Sequence, residues 1–287
     1  MRVFVTGASG FVGSAVTAEL IGAGHEVLGL ARSAEAATKI TALGAAAHMG
    51  ELTDLDSLSR GAKAADAVIH CGFNHDFSKF LENCANEDLS VRALGAALQG
   101  TAKKLIVTSG QAAATEEAQA PVSHNPRIVS ENAAQHLRDM GVNAVVVRLP
   151  PSVHGAGDHG FVPVLIGIAR NQGFAAYTGE GVNLWPAVHR LDAARLYRLV
   201  LERGDGPRYH AAAETGVPFV GIATAIGAGL GLPVRSLPPE EAEAYFGWFA
   251  RFAAMDLLAS SQWTQDTLGY QPQQAGLLAD MAAHYFG

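Results

Sequence analysis

Apolar residues in this chain come in short unbroken runs separated by segments of helical period. The runs are Val3–Val5, Val27–Leu30, Ala46–Met49, Ala67–Cys71, Leu105–Thr108 and Ala144–Leu149. Continuous rather than alternating hydrophobicity marks strands covered on both faces, as in a parallel sheet. Between them Phe11–Ala23, Ser33–Leu43, Leu55–Gly61, Phe77–Gly100 and Ile128–Met140 read as helices, with Asp54 or Asp56 as N-cap of the third. The alternation predicts an α/β fold, a doubly wound parallel sheet of the Rossmann type with right-handed crossovers.

The first strand-to-helix connection carries the most specific pattern. Val3–Val5 stops at Thr6-Gly7, and glycines recur at 7, 10 and 13. Gly7 lets the chain turn off the strand, Gly10 lets backbone approach a pyrophosphate, and Gly13 lets the helix pack close to the strand. The helix N-terminus then offers unpaired N–H groups to phosphate. A glycine triplet alone is weak evidence; between a strand and a helix it predicts a dinucleotide cradle.

After Pro150-Pro151 the texture changes. A Gly- and His-rich loop, 154–160, leads to an apolar helix near Phe161–Asn171, a strand near Phe174–Tyr177 and a hairpin-like stretch 178–183. Further helices are expected at Phe219–Leu230, Pro239–Phe252 and Ala275–Tyr285. Residues 1–150, with a returning segment near 188–210, read as the nucleotide-binding domain. Residues 151–187 and 211–287 read as a smaller α/β lobe, and a cleft between such lobes is where a ligand is expected.

Composition narrows the partners. Over 287 residues the formal net charge is −7 and no basic run occurs, which argues against nucleic acid and anionic membrane surfaces. Two cysteines, Cys71 and Cys84, make no disulfide framework. With no leader-like N-terminus and no membrane-length apolar stretch, a cytoplasmic protein acting on a small molecule is expected.

Several short motifs occur in order: Thr6-Gly-Ala-Ser-Gly-Phe-Val-Gly13, Gly50-Glu-Leu-Thr-Asp54, Val68-Ile-His-Cys-Gly72, Val107-Thr-Ser-Gly110, Arg148-Leu-Pro-Pro-Ser-Val-His-Gly155, Val188-His-Arg-Leu-Asp192 and Leu268-Gly-Tyr-Gln-Pro272. Together they resemble the extended, epimerase/dehydratase-like branch of the short-chain dehydrogenase/reductase superfamily, over nearly the whole chain. Gly50–Asp54 resembles the branch's Gly-Asp-Leu-Thr-Asp, with Glu51 in place of its Asp, and Val188–Asp192 is similar to its Val-His-Val-Asp-Asp. The resemblance implies a nicotinamide dinucleotide along Thr6, Gly7, Ser9, Gly10, Phe11, Val12 and Gly13, beside Glu51 and Leu52. The track continues past Cys71, Gly72, Phe73, Thr108, Ser109, Leu149, Pro150, Pro151 and Ser152.

One departure is large. Active members of the branch carry a Tyr-x-x-x-Lys pair on the helix after the fifth strand. Here the tyrosines stand at 177, 197, 209, 245, 270 and 285, and the last lysine is Lys104. The corresponding helix reads Arg127-Ile-Val-Ser-Glu-Asn-Ala133. Arg127 and Glu131, at i, i+4 spacing, form a surface ion pair, or Glu131 accepts from the ribose hydroxyls in place of the lysine. Related proteins dimerise through this region, and Ala133-Ala134 would allow close packing in a homodimer.

At the end of the second strand an NAD site places a carboxylate on the ribose. This chain has Gly29-Leu-Ala-Arg-Ser33 instead, so Arg32 and Ser33 suit a 2′-phosphate, and NADP(H) is predicted over NAD(H). Histidine is the natural substitute proton donor near neutral pH. His154 takes the tyrosine position of the branch's Val-Tyr-Gly loop and is the first candidate, the alternative being a loop histidine bonded to backbone. His75 beside Asp76 is either an oriented acid or part of a helix cap, and Ser109 is placed to polarise a substrate oxygen. Asn74, Gln111, Tyr177, Trp185 and His189 complete the candidate substrate contacts, His189 being equally suited to a structural role. No metal site is expected. Two readings follow: an NADP(H)-dependent oxidoreductase acting on a carbonyl-like group of a small, partly hydrophobic substrate, or a non-catalytic NADP(H)-binding sensor.

Overall fold

The computed structural model describes residues 1–119 and 126–286. Its leading half alternates as the pattern predicts: β1 (Arg2–Thr6), α1 (Phe11–Gly22), β2 (Glu26–Ala31), α2 (Ala34–Ala42), β3 (Ala46–Met49), α3 (Leu55–Lys63), β4 (Ala67–His70), α4 (Phe80–Leu98), β5 (Lys104–Gly110), α5 (Val129–Asp139) and β6 (Ala144–Leu149). The remainder runs β7 (Ser152–His154), α6 (Phe161–Gln172), β8 (Ala175–Thr178), β9 (Leu184–His189), α7 (Arg190–Arg203), β10 (Arg208–His210), β11 (Glu214–Pro218), α8 (Phe219–Leu230), β12 (Val234–Leu237), α9 (Ala242–Phe246), α10 (Ala250–Ala253), α11 (Gln262–Leu268) and α12 (Leu277–His284).

The main sheet has seven strands in the order β10-β6-β5-β4-β1-β2-β3, all parallel. The order reverses between β1 and β4, and the crevice at the carboxyl ends there is the binding position of such sheets. One face is covered by α1, α2 and α7 over Val3, Val5, Ile69 and Val147. The other is covered by α3, α4 and α5 over Phe4, Val68, Leu105 and Val146. Burial on both faces is why these strands read as unbroken apolar runs. Asp54 caps α3 as expected, its Oδ1 accepting from Ser57 N–H at 2.9 Å.

A third core gathers α6, α8, α9 and α12 with β8, β9 and β12 around Trp185, Phe219, Phe246 and Phe249. Two small sheets, β11-β9-β7 and β12-β8, support it. The sequence pattern misses β7, β9, β10, β11 and β12. Three of these hold only three or four residues, and β9 contains Pro186, which breaks the apolar signal. The partner strand shifts register between Glu214 and Val217, opposite that proline, so no ladder bond is lost there. The expected single helix 239–252 is instead α9 and α10, interrupted at Gly247 with φ 55°. The helix expected from Phe77 begins at Phe80, after a 3-10 turn, Phe77–Lys79, capped by Asp76. Ala133 and Ala134 are fully buried against this chain's own core, so they offer no surface to a second copy.

Candidate functional site

The glycine turn leaves no room for side chains. Gly7 has φ 68°, and a Cβ there would lie 2.9 Å from backbone atoms of Cys71 and Gly72. A Cβ on Gly13 would stand 2.0 Å from the Gly7 carbonyl oxygen. Gly10 N–H donates to that same oxygen at 2.8 Å, which closes the turn. The N-terminus of α1 has no side-chain cap and no acidic residue in its first turn. Ser33 and Asp54 cap α2 and α3. Backbone N–H groups at a close-approach turn fit the diphosphate of a dinucleotide. Ser9, Phe11 and Val12 flank it, each half-buried.

The rest of the expected track lies along the strand ends. Arg32 and Ser33 are exposed at the end of β2, with Ser33 Oγ accepting from Ala36 N–H at 3.2 Å. Glu51 is exposed, and the half-buried Leu52 is held by Ser90 Oγ donating to its carbonyl at 2.8 Å. Gly72 N–H donates to Thr6 Oγ1 at 3.2 Å, tying the end of β4 to the glycine turn. Leu149, Pro150, Pro151 and Ser152 carry the chain from β6 into β7, with Ser152 buried.

Behind the ends of β4 and β5 the polar side chains form closed networks. Thr6 Oγ1 lies 2.7 Å from His70 Nδ1, and His70 Nε2 lies 3.1 Å from Glu87. Ser130 Oγ donates to Glu87 at 2.6 Å; Arg127 donates to Ser130 and stands 3.5 Å from Glu87. Burial alone would raise the Glu87 carboxyl, but His70, Arg127 and Ser130 hold it below its ordinary value. Arg127 also stacks over Phe73, its Cζ 4.1 Å from the ring centroid. Glu131 pairs with neither Arg127 nor open cleft: Arg148 grips it bidentately from β6, at 2.9 and 2.5 Å. Both readings of an Arg127/Glu131 pair therefore give way to two separate ion pairs.

Thr108 Oγ1 and Tyr197 OH are 2.6 Å apart beneath this region, next to Cys71. Burial pushes the Cys71 thiol up to about 12, opposed only partly by Thr108 and Tyr197, and burial raises Cys84 as well. A thiolate is the reactive form. Neither cysteine is therefore expected to react with a disulfide reagent in the native protein at pH 8, whereas both react after unfolding. Rapid native labelling would contradict this environment.

The candidate substrate contacts divide sharply. His75 and Asn74 are exposed on the loop after β4, and His75 sits edge-on to Phe73 at 5.2 Å. Although His75 is exposed overall, Phe73 and Phe77 lie close to its ring, and that desolvation, then the charges of Arg127 and His159, lowers its pKa. Asn74 accepts from Asp76 N–H at 3.1 Å, and Asp76 caps the following turn rather than orienting His75. Ser109 is enclosed, at 2 % exposure, with Oγ 3.4 Å from the Gly110 carbonyl. Gln111 turns away toward His210 and donates to the Ala113 carbonyl.

His154 is not a cleft residue. It is 1 % exposed, its Nδ1 lies 2.8 Å from Asp280 Oδ2, and its ring meets His189 edge-on at 5.4 Å. A strand histidine whose register places it beneath α12 reads in sequence like a loop histidine. His189 caps α7, accepting from Leu191 N–H at 3.2 Å. Trp185 is fully buried among Phe161, Phe219 and Phe249, and Tyr177 lies on β8 at the edge of the same core. His154→Ala is expected to lower stability by roughly 1–3 kcal/mol, since the buried Asp280 loses its close partner and keeps only His284, 3.7 Å away. NADPH affinity should stay within about twofold. Thermal unfolding beside a binding titration checks both, and a large loss of affinity alone would restore His154 to the site. Among the described residues no cluster of His, Cys, Asp or Glu is arranged to hold a metal ion.

Sequence reasoning gives no role to His70, Glu87, Tyr197, Asp280 or Tyr285. Tyr285 OH donates to Asp158 at 2.7 Å and accepts from Gly155 N–H at 3.2 Å, pinning the loop after β7 to the end of α12. These are long-range pairings with no local pattern to betray them.

The sheet order, the switch-point crevice and the glycine cradle define a nicotinamide-dinucleotide fold. Residues 3–212 match the model of the NAD dependent epimerase/dehydratase family, and the chain belongs to that family. It is 47% identical to an uncharacterized protein of Saccharomyces cerevisiae, over 99% of each chain. It is 28% identical to the 4-hydroxy-2-methyl-3-oxo-4-farnesyl-3,4-dihydroquinoline-1-oxide ketoreductase of Stigmatella aurantiaca, covering 72% of this chain and 66% of that one. The dTDP-glucose 4,6-dehydratase of Streptomyces venezuelae, solved with NAD and TYD bound, shares the fold with TM-score 0.76 at 19% identity, over 99% of this chain and 95% of the other. Family members bind a nicotinamide cofactor. Among the described residues no helix is long and apolar enough to cross a membrane.

Proposed function

We propose that the protein is an NADP(H)-dependent oxidoreductase acting on a carbonyl-like group of a small, partly hydrophobic molecule in the cytoplasm. The observation that carries the cofactor choice is the end of β2, where Arg32 is exposed beside Ser33 and the strand-end sequence has no carboxylate. When bound, the nicotinamide supplies or accepts hydride at the ends of β4 and β5. Arg127, held by Glu87 and Ser130 where the family's tyrosine is expected, neutralises charge on the substrate oxygen. His75, or a water bound to it, relays the proton. Phe73 and Phe77 offer apolar surface, Phe77 stacking on Trp248 at 5.2 Å across the cleft mouth.

Arg32→Ala is expected to weaken NADPH binding by about tenfold or more while leaving NADH unchanged. Fluorescence titration of both cofactors tests this, and NADH binding as tightly as NADPH in the wild type sinks the preference. NADPH consumption against aldehydes, ketones, imines and activated alkenes tests the oxidoreductase reading. Tight NADPH binding without any turnover favours the second reading, an NADP(H) sensor. Its support is that no Tyr-x-x-x-Lys occurs and that both corresponding positions are engaged in ion pairs. A sensor requires a protein partner whose binding differs between NADP+ and NADPH.

A further inference from the structure

We infer that Arg190, at the start of α7, clamps the diphosphate of the dinucleotide onto the glycine turn. The inference rests on the cofactor reading proposed above and assigns a residue that the family motif does not. In Val188-His-Arg-Leu-Asp192 the arginine stands where the resembling branch has valine. An apolar position at the start of α7 has become a cation.

The structure places that cation over the side chain of the first residue of α1. Arg190 Cζ lies 4.9 Å from the ring centroid of Phe11, the first residue of α1. His159 meets the same ring edge-on at 5.8 Å, so Phe11 is flanked by two basic side chains from beyond β6. Room for the arginine stem is made by Gly155, with φ 141°, where a Cβ would come within 3.2 Å of Arg190 Cγ. The α1 terminus beneath carries neither a side-chain cap nor an acidic residue.

Arg190 Nε is buried and has no hydrogen-bond partner, and no ion pair reaches the guanidinium among the described residues. Other buried or half-buried arginines have acceptors: Arg148 pairs with Glu131, Arg198 with Glu19 and Glu202, and Arg208 donates to the Glu116 and Glu117 carbonyls. A buried charged donor without an acceptor is unfavourable, and a ligand that supplies acceptors removes that penalty. The guanidinium fork matches two oxygens of a phosphate group, which a point charge cannot do. The α1 backbone N–H groups take one side of the diphosphate, and Arg190 takes the other. Because α7 packs along α1, the clamp is preformed and needs no lobe movement.

The test compares wild type with Arg190→Val, which installs the branch's residue, and Arg190→Gln, which keeps most of the stem without charge. Calorimetry uses three probes: NADPH, ADP (diphosphate only) and adenosine 2′-monophosphate (no diphosphate). Both variants are expected to bind NADPH and ADP about tenfold more weakly and to show a shallower salt dependence. Affinity for adenosine 2′-monophosphate, which Arg32 governs, should be unchanged, and thermal unfolding confirms folded protein. NADPH and ADP affinities within twofold of wild type in the folded variants overturn the clamp alone. A wild type that binds neither NADPH nor NADH overturns the cofactor reading, and the clamp with it.

Discussion

Arg148→Met is expected to destabilise the protein by roughly 3–5 kcal/mol, because it leaves Glu131 charged and unpaired in the interior. Arg148 is fully buried, and each of its guanidinium N–H groups has an acceptor. Nε and Nη2 fork onto Glu131 at 2.9 and 2.5 Å; Nη2 also donates to the Ala118 carbonyl at 2.8 Å. Nη1 donates to the Thr115 carbonyl at 3.1 Å and to His210 Nε2 at 3.0 Å. His210 can accept there when its Nδ1–H donates to the Ser260 carbonyl at 2.7 Å; burial, helped by the Arg148 charge, lowers its pKa against the opposing pull of Glu116. One side chain thus joins β6, α5, the 113–118 segment and the approach to α11. Denaturant unfolding measures the loss, and a cost below about 1 kcal/mol would show the network to be incidental. Adding Glu131→Leu should recover much of the stability, since a buried pair replaced together by apolar groups leaves no orphaned charge.

This pair explains why part of the site was legible in sequence and part was not. The glycine turn, the β2 terminus and the six central strands follow from local pattern, because adjacent residues make both the strand and its connection. Ser33 and Asp54 likewise announce their caps within three residues. The substrate side has no such locality. His154 and Asp280 are 126 positions apart, and Thr6 meets His70 across 64. Composition lists those residues, but only the register of β7 against β9 decides that His154 faces a core. Arg127 and Glu131 show the opposite failure. Their i, i+4 spacing satisfies the rule for a helix-surface pair. Tertiary partners with buried charge, Glu87 and Arg148, compete for them and win, because partly buried pairs are screened far less than exposed ones. Arg190 was visible as a departure from the valine of the branch, yet its meaning depends on Phe11 lying beneath it, which no spacing rule states.

Gly13→Ala is expected to weaken NADPH binding by at least about tenfold and to cost roughly 1–3 kcal/mol of stability. The added Cβ would stand 2.0 Å from the Gly7 oxygen and 2.7 Å from its carbonyl carbon, so backbone must move. Gly7 cannot retreat: its φ is 68°, and it already lies against the backbone of Cys71 and Gly72. The helix has to lift instead, carrying its first N–H groups away from the turn. Ala15, Val16 and Leu20, buried between the sheet and α7, resist that movement. Strain and lost phosphate contacts therefore arise from one displacement. Gly22→Ala supplies the matched control in the same helix, because nothing lies within 4 Å of its added Cβ. It should leave affinity within about twofold and raise stability slightly, alanine being the better helix former. If Gly13→Ala bound NADPH as tightly as Gly22→Ala does, the turn could not be the seat of the phosphates, and the cofactor assignment built on it would fall.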